Sequence, residues 1–517
     1  MRKTPFYALM LCLPLCMGAC TDKDENKDSE SSDTETVTEE LKAFPTAEGF
    51  GKHATGGRGG QVVYVTNLDD DGEGSFRWAL NQYESDFTVV FAVSGTIELK
   101  KDLRCKKQNF TIAGQTAPGD GICITKNEVN FGGSKNFIIR HLRFRVGDKD
   151  ASGKNLNAGC LRVENADNFI IDHCSFSWAA EENTDFIDTH FTTVQYCIMS
   201  EGLYESVNGK GARGYGGSWG GTSATYHHNL FAHNNSRTPL VNGARGKDPG
   251  QDLTVYWEFI NNVNYNWGSK MSTYGGENES QDPDYYGFKG NFVNNYYKPG
   301  PATLANVGKE NLKFFRQSGA RAPEEAPDRG PTKWYFGGNV MEGSAELTAD
   351  NSKGVYYEPD DYLYTLEETL VSSFIIPTGQ ENRQQYWYDW KNYTYDKYET
   401  AEEAYQTVIA EGGAGAAPRD KIDQRIINEV TKGTYTYGNN GIIDHPSDAE
   451  GFIEYKSGTP VTDNDRDGMD DEWEKKVGLD PTNPDDRNTL TETGYTALEV
   501  YLNSLVGENI SHKFNKK

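Results

Sequence analysis

The chain has 517 residues, room for two to four ordinary domains or for one long repetitive one. Acids outnumber bases 77 to 51 and the net charge is −26, which excludes a nucleic-acid binder with its basic face. Glycine at 55, tyrosine at 30 and hydrophobics at only 36% exclude a bundle of apolar helices and suit a β-rich, turn-rich, exported protein.

Arg2 and Lys3 precede an apolar run, Phe6 to Met17, that ends in Gly18-Ala19-Cys20. Residues 1–20 therefore read as a secretory signal, too short to span a bilayer as a helix. The Gly-Ala-Cys ending resembles a bacterial lipobox. That implies a lipid anchor on Cys20 and an outer-membrane lipoprotein, surface-exposed or periplasmic; cleavage and plain secretion is the alternative. Residues 21–40 hold nine acids, two lysines and one valine. Such a stretch cannot bury enough surface to fold, so 21–43 is an acidic tether. Its position after the cysteine resembles the surface-export signal of Bacteroidetes lipoproteins. Cys105, Cys123, Cys160, Cys174 and Cys197 follow, an odd number without metal-type spacing. They read as buried apolar residues, with room for one disulfide.

From residue 60 to 345, short β-branched and aromatic runs recur between Gly- and Asn-rich turns. Asn109-Phe110-Thr111-Ile112, Asn136-Phe137-Ile138-Ile139, Asn168-Phe169-Ile170-Ile171 and His190-Phe191-Thr192-Thr193 are versions of one phrase, spaced by 27, 32 and 22 residues. Asn229, Asn262 and Asn295 lie 33 apart, and Asn339 follows after 44. Strand-plus-turn repeats of this length indicate a solenoid. A β-propeller would need four hairpin-linked strands per blade. The irregular spacing predicts an all-β chain, a right-handed parallel β-helix over 44–345 whose turns vary while its strands keep register.

Ala113-Gly114-Gln115-Thr116-Ala117-Pro118-Gly119, Asp172-His173-Cys174-Ser175-Phe176-Ser177-Trp178, Gly216-Gly217-Ser218-Trp219-Gly220-Gly221 and His227-His228-Asn229-Leu230-Phe231 follow in that order. With them the chain resembles the pectate lyases of polysaccharide lyase family 1, particularly the lipoprotein-type enzymes of gut Bacteroidetes. The resemblance implies that Arg237, in Ser236-Arg237-Thr238-Pro239, is the base that removes the C5 proton of galacturonate. It also implies that Glu181 and Asp185 bind a catalytic calcium, whose hard charge suits carboxylates. The chain departs from the family at three positions: Asn157 and Gly159 stand where a preceding coil offers aspartates, and Asn242 where a second arginine grips a uronate. Glu182 and Asp188 are further carboxylates nearby. Arg245, Arg213 and Lys210 are then the candidate grips on substrate carboxylates, arginine being the better fork for them. His173 reads as a hydrogen-bonded core histidine, and Trp178, Trp219 and Trp267 are candidates to stack on sugars.

Residues 346–450 are Tyr-rich, with Tyr386, Trp387, Tyr388 and Trp390 close together and a helix near Glu399 to Glu411; they read as an extension packed along the solenoid. In the last segment, 451–517, residues 463–474 match D-x-[DN]-x-[DN]-G-x5-E in full. Asp463, Asp465, Asp467, the Met469 carbonyl, Asp471 and Glu474 would hold calcium in an EF-hand-like loop, a structural staple.

The function expected is a monomeric pectate lyase that cuts α-1,4-polygalacturonate in acidic plant pectin by β-elimination, giving 4,5-unsaturated oligogalacturonides, with calcium as cofactor. Two rivals stand beside it. One is a calcium-independent lyase on methylated pectin or another uronate polymer; the other is a non-catalytic glycan-binding β-helix.

Overall fold

The computed structural model describes residues 40–242, 254–276, 287–318, 332–357, 364–370, 395, 397–415, 418–510 and 513–514. The repeated phrases form three all-parallel sheets, here A with eleven strands and B and C with nine each. Each coil gives one strand to C, then A, then B, so every third strand pairs with its equivalent one coil on. This is a right-handed parallel β-helix.

Alternation explains the core. In the strands Gln108–Ala113, Lys135–Arg140 and Asp167–Asp172 of sheet A, every second residue points inward. Register stacks Phe87, Phe110, Phe137 and Phe169 into one column. Ring centroids in that column lie 5.6, 5.0 and 4.7 Å apart. Burial of each ring stabilises the fold by roughly 1.5–3 kcal/mol, repeated coil after coil. The corner from A to B turns on one left-handed residue per coil, His141, His173, Tyr196, His228, Asn261 and Asn294, with φ of 47–57°. Asn tolerates this region best, because its short polar chain bonds locally. One step on, the Asn229, Asn262, Asn295 and Asn339 side chains form a buried ladder. The Asn262 Oδ1 accepts from the Asn229 backbone N at 2.9 Å, and Asn295 and Asn339 repeat the contact.

The solenoid runs past residue 345. Val355–Tyr357 and Tyr364–Leu366 pair in parallel with the coil before them. Beyond it, Thr400 and Glu403 cap the helix Ala401–Glu411 reciprocally, at the place the sequence suggests. A second helix, Lys421–Lys432, ends at Gly433 in a left-handed cap. Both helices pack on the outer face of sheet B through Tyr405, Val408, Ile426 and Val430 against Ile198, Leu230, Val263 and Tyr265. Arg145 anchors the second helix: its guanidinium reaches Asp420 and Asp423 at 2.8 Å, all three buried.

The outer face of sheet A is covered too. Ala43, Phe44, Ala47 and Ala54 lie on Ile138 and Ile170, and Met469, Leu498, Tyr501 and Leu502 lie on Val90 and Ala113. Sheet C instead turns half-exposed Arg162, Glu164, Asp185, Ile187 and Tyr215 outward. The five cysteines from Cys105 to Cys197 are all buried and free, so the room left for a disulfide is not used among the described residues. No helix among the described residues is long and apolar enough to cross a membrane. Cys20, the tether to Glu39 and the 386–390 aromatics lie outside the described residues.

Candidate active site

The exposed face of sheet C is built from register. Glu182 pairs with Tyr215 across the strands, and Asp185 lies between Arg162 on the preceding coil and Ser218 on the following one. Arg237 enters at the next coil. Its carbonyl accepts from the Gly217 N–H at 2.8 Å. Gly216 is required there: a Cβ would lie 2.7 Å from the Arg237 carbonyl oxygen and 2.7 Å from the Phe231 ring. Arg237 itself sits in left-handed backbone, φ 55°. A non-glycine residue holds that conformation only where its surroundings over-determine it.

Three contacts fix the Arg237 side chain. Nη1 donates to the Glu182 carboxylate, Nε donates to the Tyr274 hydroxyl at 3.2 Å, and the guanidinium lies 4.1 Å over the Tyr215 ring. Partial burial disfavours its charge, but the adjacent Glu182 carboxylate outweighs that and holds the guanidinium above its ordinary range. Ligand-free Arg237 therefore keeps its proton.

Tyr215 also meets a second cation. Arg213 donates to the Tyr215 hydroxyl at 3.2 Å and lies 3.7 Å from Glu181; Lys210, largely exposed, lies 3.6 Å from the same carboxylate. Asn157 donates to Glu181 at 3.0 Å and accepts from Asn208 at 2.7 Å. Burial works against the Glu181 charge, yet Asn157, Asn208 and the two cations hold its carboxyl below the usual range. Asp185 behaves oppositely. Burial, then the repulsion of Glu182, push it well above the usual range despite Arg162 and Arg237. Glu128 is also raised by burial, and its carboxylate lies 3.4 Å from where a Gly159 Cβ would stand.

The structure thus gathers Arg237, Arg213, Lys210, Glu181 and Asp185 on one face, with Tyr215 and Tyr274 as partners that sequence reasoning missed. Arg245 lies outside the described residues. Trp178, Trp219 and Trp267 are no more than 1% exposed. Trp219 and Trp267 fill the interior, and Trp178 is covered by Leu203, Ile422, Ile443 and Ala449, so none offers a platform for a sugar. His173 Nδ1 bonds Asp172 Oδ1 at 2.8 Å, a structural contact.

The groove acids have the chemistry calcium prefers but not its arrangement. Glu182 is held by Arg237, Glu181 by Asn157, Lys210 and Arg213, and Arg162 stands beside Asp185. Among the described residues, carboxylate oxygens of Glu181, Glu182 and Asp185 do not converge as a set of three. The C-terminal loop differs: Asp463, Asp465 and Asp467 converge, as do Asp467, Glu474 and Asp486. Asp471, by contrast, accepts from the Asn464 backbone N at 2.9 Å. Met469 is buried, its side chain in the apolar cluster over Val90.

Known proteins place this architecture. The chain is 31% identical to a probable pectate lyase C of Emericella nidulans over 509 residues, 98% of each chain. The chain belongs to the pectate lyase family. It is also 33% identical to the Neosartorya fischeri probable pectate lyase C, over 90% of this chain and 94% of that one. Among solved structures, a pectate lyase of Bacillus sp. N165 in complex with trigalacturonate is similar at 16% identity and a TM-score of 0.40, covering 71% of this chain and 98% of that one. No protein-family profile matches. As a pectate lyase family member, the chain is a polysaccharide lyase, and its Arg237 groove is the candidate active site.

Proposed function

We propose that the chain cleaves α-1,4-polygalacturonate by β-elimination over sheet C, leaving a 4,5-unsaturated uronate at the new non-reducing end. The observation that carries this reading is the grouping of Arg237 and Arg213 at Tyr215, with Lys210 beside Arg213's partner Glu181, on the solenoid's open face. Forked guanidiniums suit planar carboxylates. A uronate carboxylate entering here can take Arg213 and Lys210 from Glu181. Arg237 acts as base only once Glu182 releases it, because the pair favours the protonated guanidinium. Free of Glu182, its nitrogen accepts the C5 proton as the C4–O bond breaks. No step is routed through a groove calcium.

The test is ultraviolet absorbance of the unsaturated product on polygalacturonate, for wild type and Arg237→Ala. Loss of about 10²–10⁴-fold in a mutant of unchanged fold supports Arg237 as base. Equal rates in both would overturn that role, and a wild type inactive on every uronate polymer would leave the glycan-binding rival. A second reading, elimination on methylated pectin or another uronate polymer without a groove calcium, is favoured by Arg162 standing beside Asp185. Activity that survives chelation at intact fold supports it. Export as a monomer anchored through Cys20, in the manner of Bacteroidetes surface lipoproteins, completes the proposal and rests on the leader and acidic tether. Metabolic labelling with a fatty acid, lost in Cys20→Ala, tests the anchor.

A further inference from the structure

The C-terminal acidic loop plays no part in the groove, yet it contains the strongest unmet demand for a cation among the described residues. Six buried carboxylate oxygens there have no hydrogen-bond partner: both of Asp465, both of Glu474, one of Asp467 and one of Asp486. Asp467 and Glu474 are fully buried. A carboxylate oxygen stripped of water and of donors costs several kcal/mol unless a cation replaces them. These oxygens also face one another, so the loop is self-repulsive as it stands.

The donor set comes from two stretches of chain. Asp463, Asp465 and Asp467 lie on the loop, where Gly468 makes the turn at φ 96°. Glu474 projects from the helix Asp471–Val477. Asp486 arrives after that helix, from a turn in which it accepts from the Asp480 N–H at 2.8 Å. It joins Asp467 and Glu474 within 4.8 Å. Asp471, the loop's ninth residue, is spent on Asn464. The motif alone would have chosen Asp471 and overlooked Asp486.

We propose that Asp463, Asp465, Asp467, Glu474 and Asp486 hold one calcium ion, and that the ion clamps the C-terminal segment to the first coils of the solenoid. Hard oxygens only, six of them unsatisfied, match a cation that takes six to eight; magnesium would demand tighter octahedral geometry and retained waters. The clamp follows from what the loop touches. The Asp463 carboxylate accepts from the Tyr64 hydroxyl on the first strand, and a Cβ on Gly468 would lie 3.0 Å from Leu498 and 3.3 Å from Val62. Met469 joins Leu498 and Tyr501 on the outer face of sheet A, and Glu499 pairs with Arg58 at 2.7 Å. Ordering the loop therefore orders the helix Ala497–Ser504 against the solenoid.

The test uses the full chain and does not read activity, so it stands or falls apart from the lyase reading. Terbium serves as the calcium surrogate, excited through Trp473, next to Glu474. Saturable emission reversed by calcium is expected, with Asp486→Asn weakening affinity about tenfold or more and Asp471→Asn by less than about threefold. Glu474→Gln is the second variant, and far-ultraviolet circular dichroism checks that each folds. Emission unchanged by both Asp486→Asn and Glu474→Gln overturns the site. The reverse ranking of Asp471 and Asp486 overturns the ligand set. Calcium should also slow amide exchange across 463–474 and 497–504 by about tenfold or more while leaving 168–172 unchanged; ion binding without slower exchange in 497–504 overturns the clamp.

Discussion

Glu182→Gln is the most informative single change in the groove. The amide keeps an oxygen for Arg237 Nη1 but removes the charge that holds the guanidinium protonated. Two unit charges about 4 Å apart interact by about 4 kcal/mol at an effective dielectric near 20. Arg237 is 22% exposed and Glu182 10%, so solvent screening reduces this to about 1.5–3 kcal/mol. That range corresponds to about 1–2 pH units in the guanidinium's titration. The sign is fixed. Glu182 raises the pKa of Arg237; its neutralisation lowers it, and more free base exists at any pH below the titration. A guanidinium is almost wholly protonated at any pH where the enzyme would be assayed, so every increment of free base counts. The rising alkaline limb of kcat/KM on polygalacturonate should move toward acid by about 1–2 units, with rates below the limb up about 10–100-fold. Asp185, relieved of its neighbour's repulsion, should titrate lower as well. An alkaline limb that stays in place, at unchanged thermal stability, would refute the claim that Glu182 holds the proton on the working base.

Asn262→Ala should destabilise the solenoid by about 2–4 kcal/mol, because it orphans the buried Asn229 N–H and the Tyr226 carbonyl; urea unfolding with an unchanged slope measures it. Arg145→Met leaves buried Asp423 without a cation and Asp420 with only Arg143 at 3.4 Å, a loss of about 3–5 kcal/mol, read as faster amide exchange in the helix Lys421–Lys432. Glu258, fully buried beside Thr225 and Tyr256, is pushed by burial up to about 7. Its raised pKa favours folding below about pH 4 and costs about 2–4 kcal/mol once pH exceeds 7. Glu258→Gln should therefore raise the urea midpoint at pH 8 and leave it nearly unchanged at pH 4.

The solenoid was legible because its signal is local and repeated. Asn-Phe-x-Ile recurs as a two-residue alternation after a left-handed residue, and the 33-residue interval of Asn229, Asn262 and Asn295 is one full coil, their amides meeting on every turn. The site was legible only where it rests on contiguous residues. Arg237, Glu181 and Asp185 could be named from flanking motifs. Tyr215, Tyr274 and Arg162 could not, because cross-coil register brings them to the site, and register depends on the lengths of intervening turns. The same blindness made Trp178 and Trp219 look like sugar platforms, although Trp219 turns into the core and Trp178 is covered by Ile422 and Ile443 from far along the chain. Asp486 escaped for a related reason, since it reaches the loop from beyond a helix.

The net charge of −26 is at odds with an acidic polymer as substrate only until the groove's own cations are counted. Its cations are not bare. Arg237 rests on Glu182, and Arg213 and Lys210 rest on Glu181. A bare cationic trough is therefore not what the groove offers. The uronate chain must instead displace protein carboxylates from guanidiniums already in place, partner for partner. The net Coulomb gain of such an exchange is small, and fields beyond about 10 Å are screened at ordinary salt. A carboxylate that took Arg213 from Glu181 would lie beside Tyr215, whose ring Arg237 also contacts, so geometry rather than net field would set the specificity of the proposed groove.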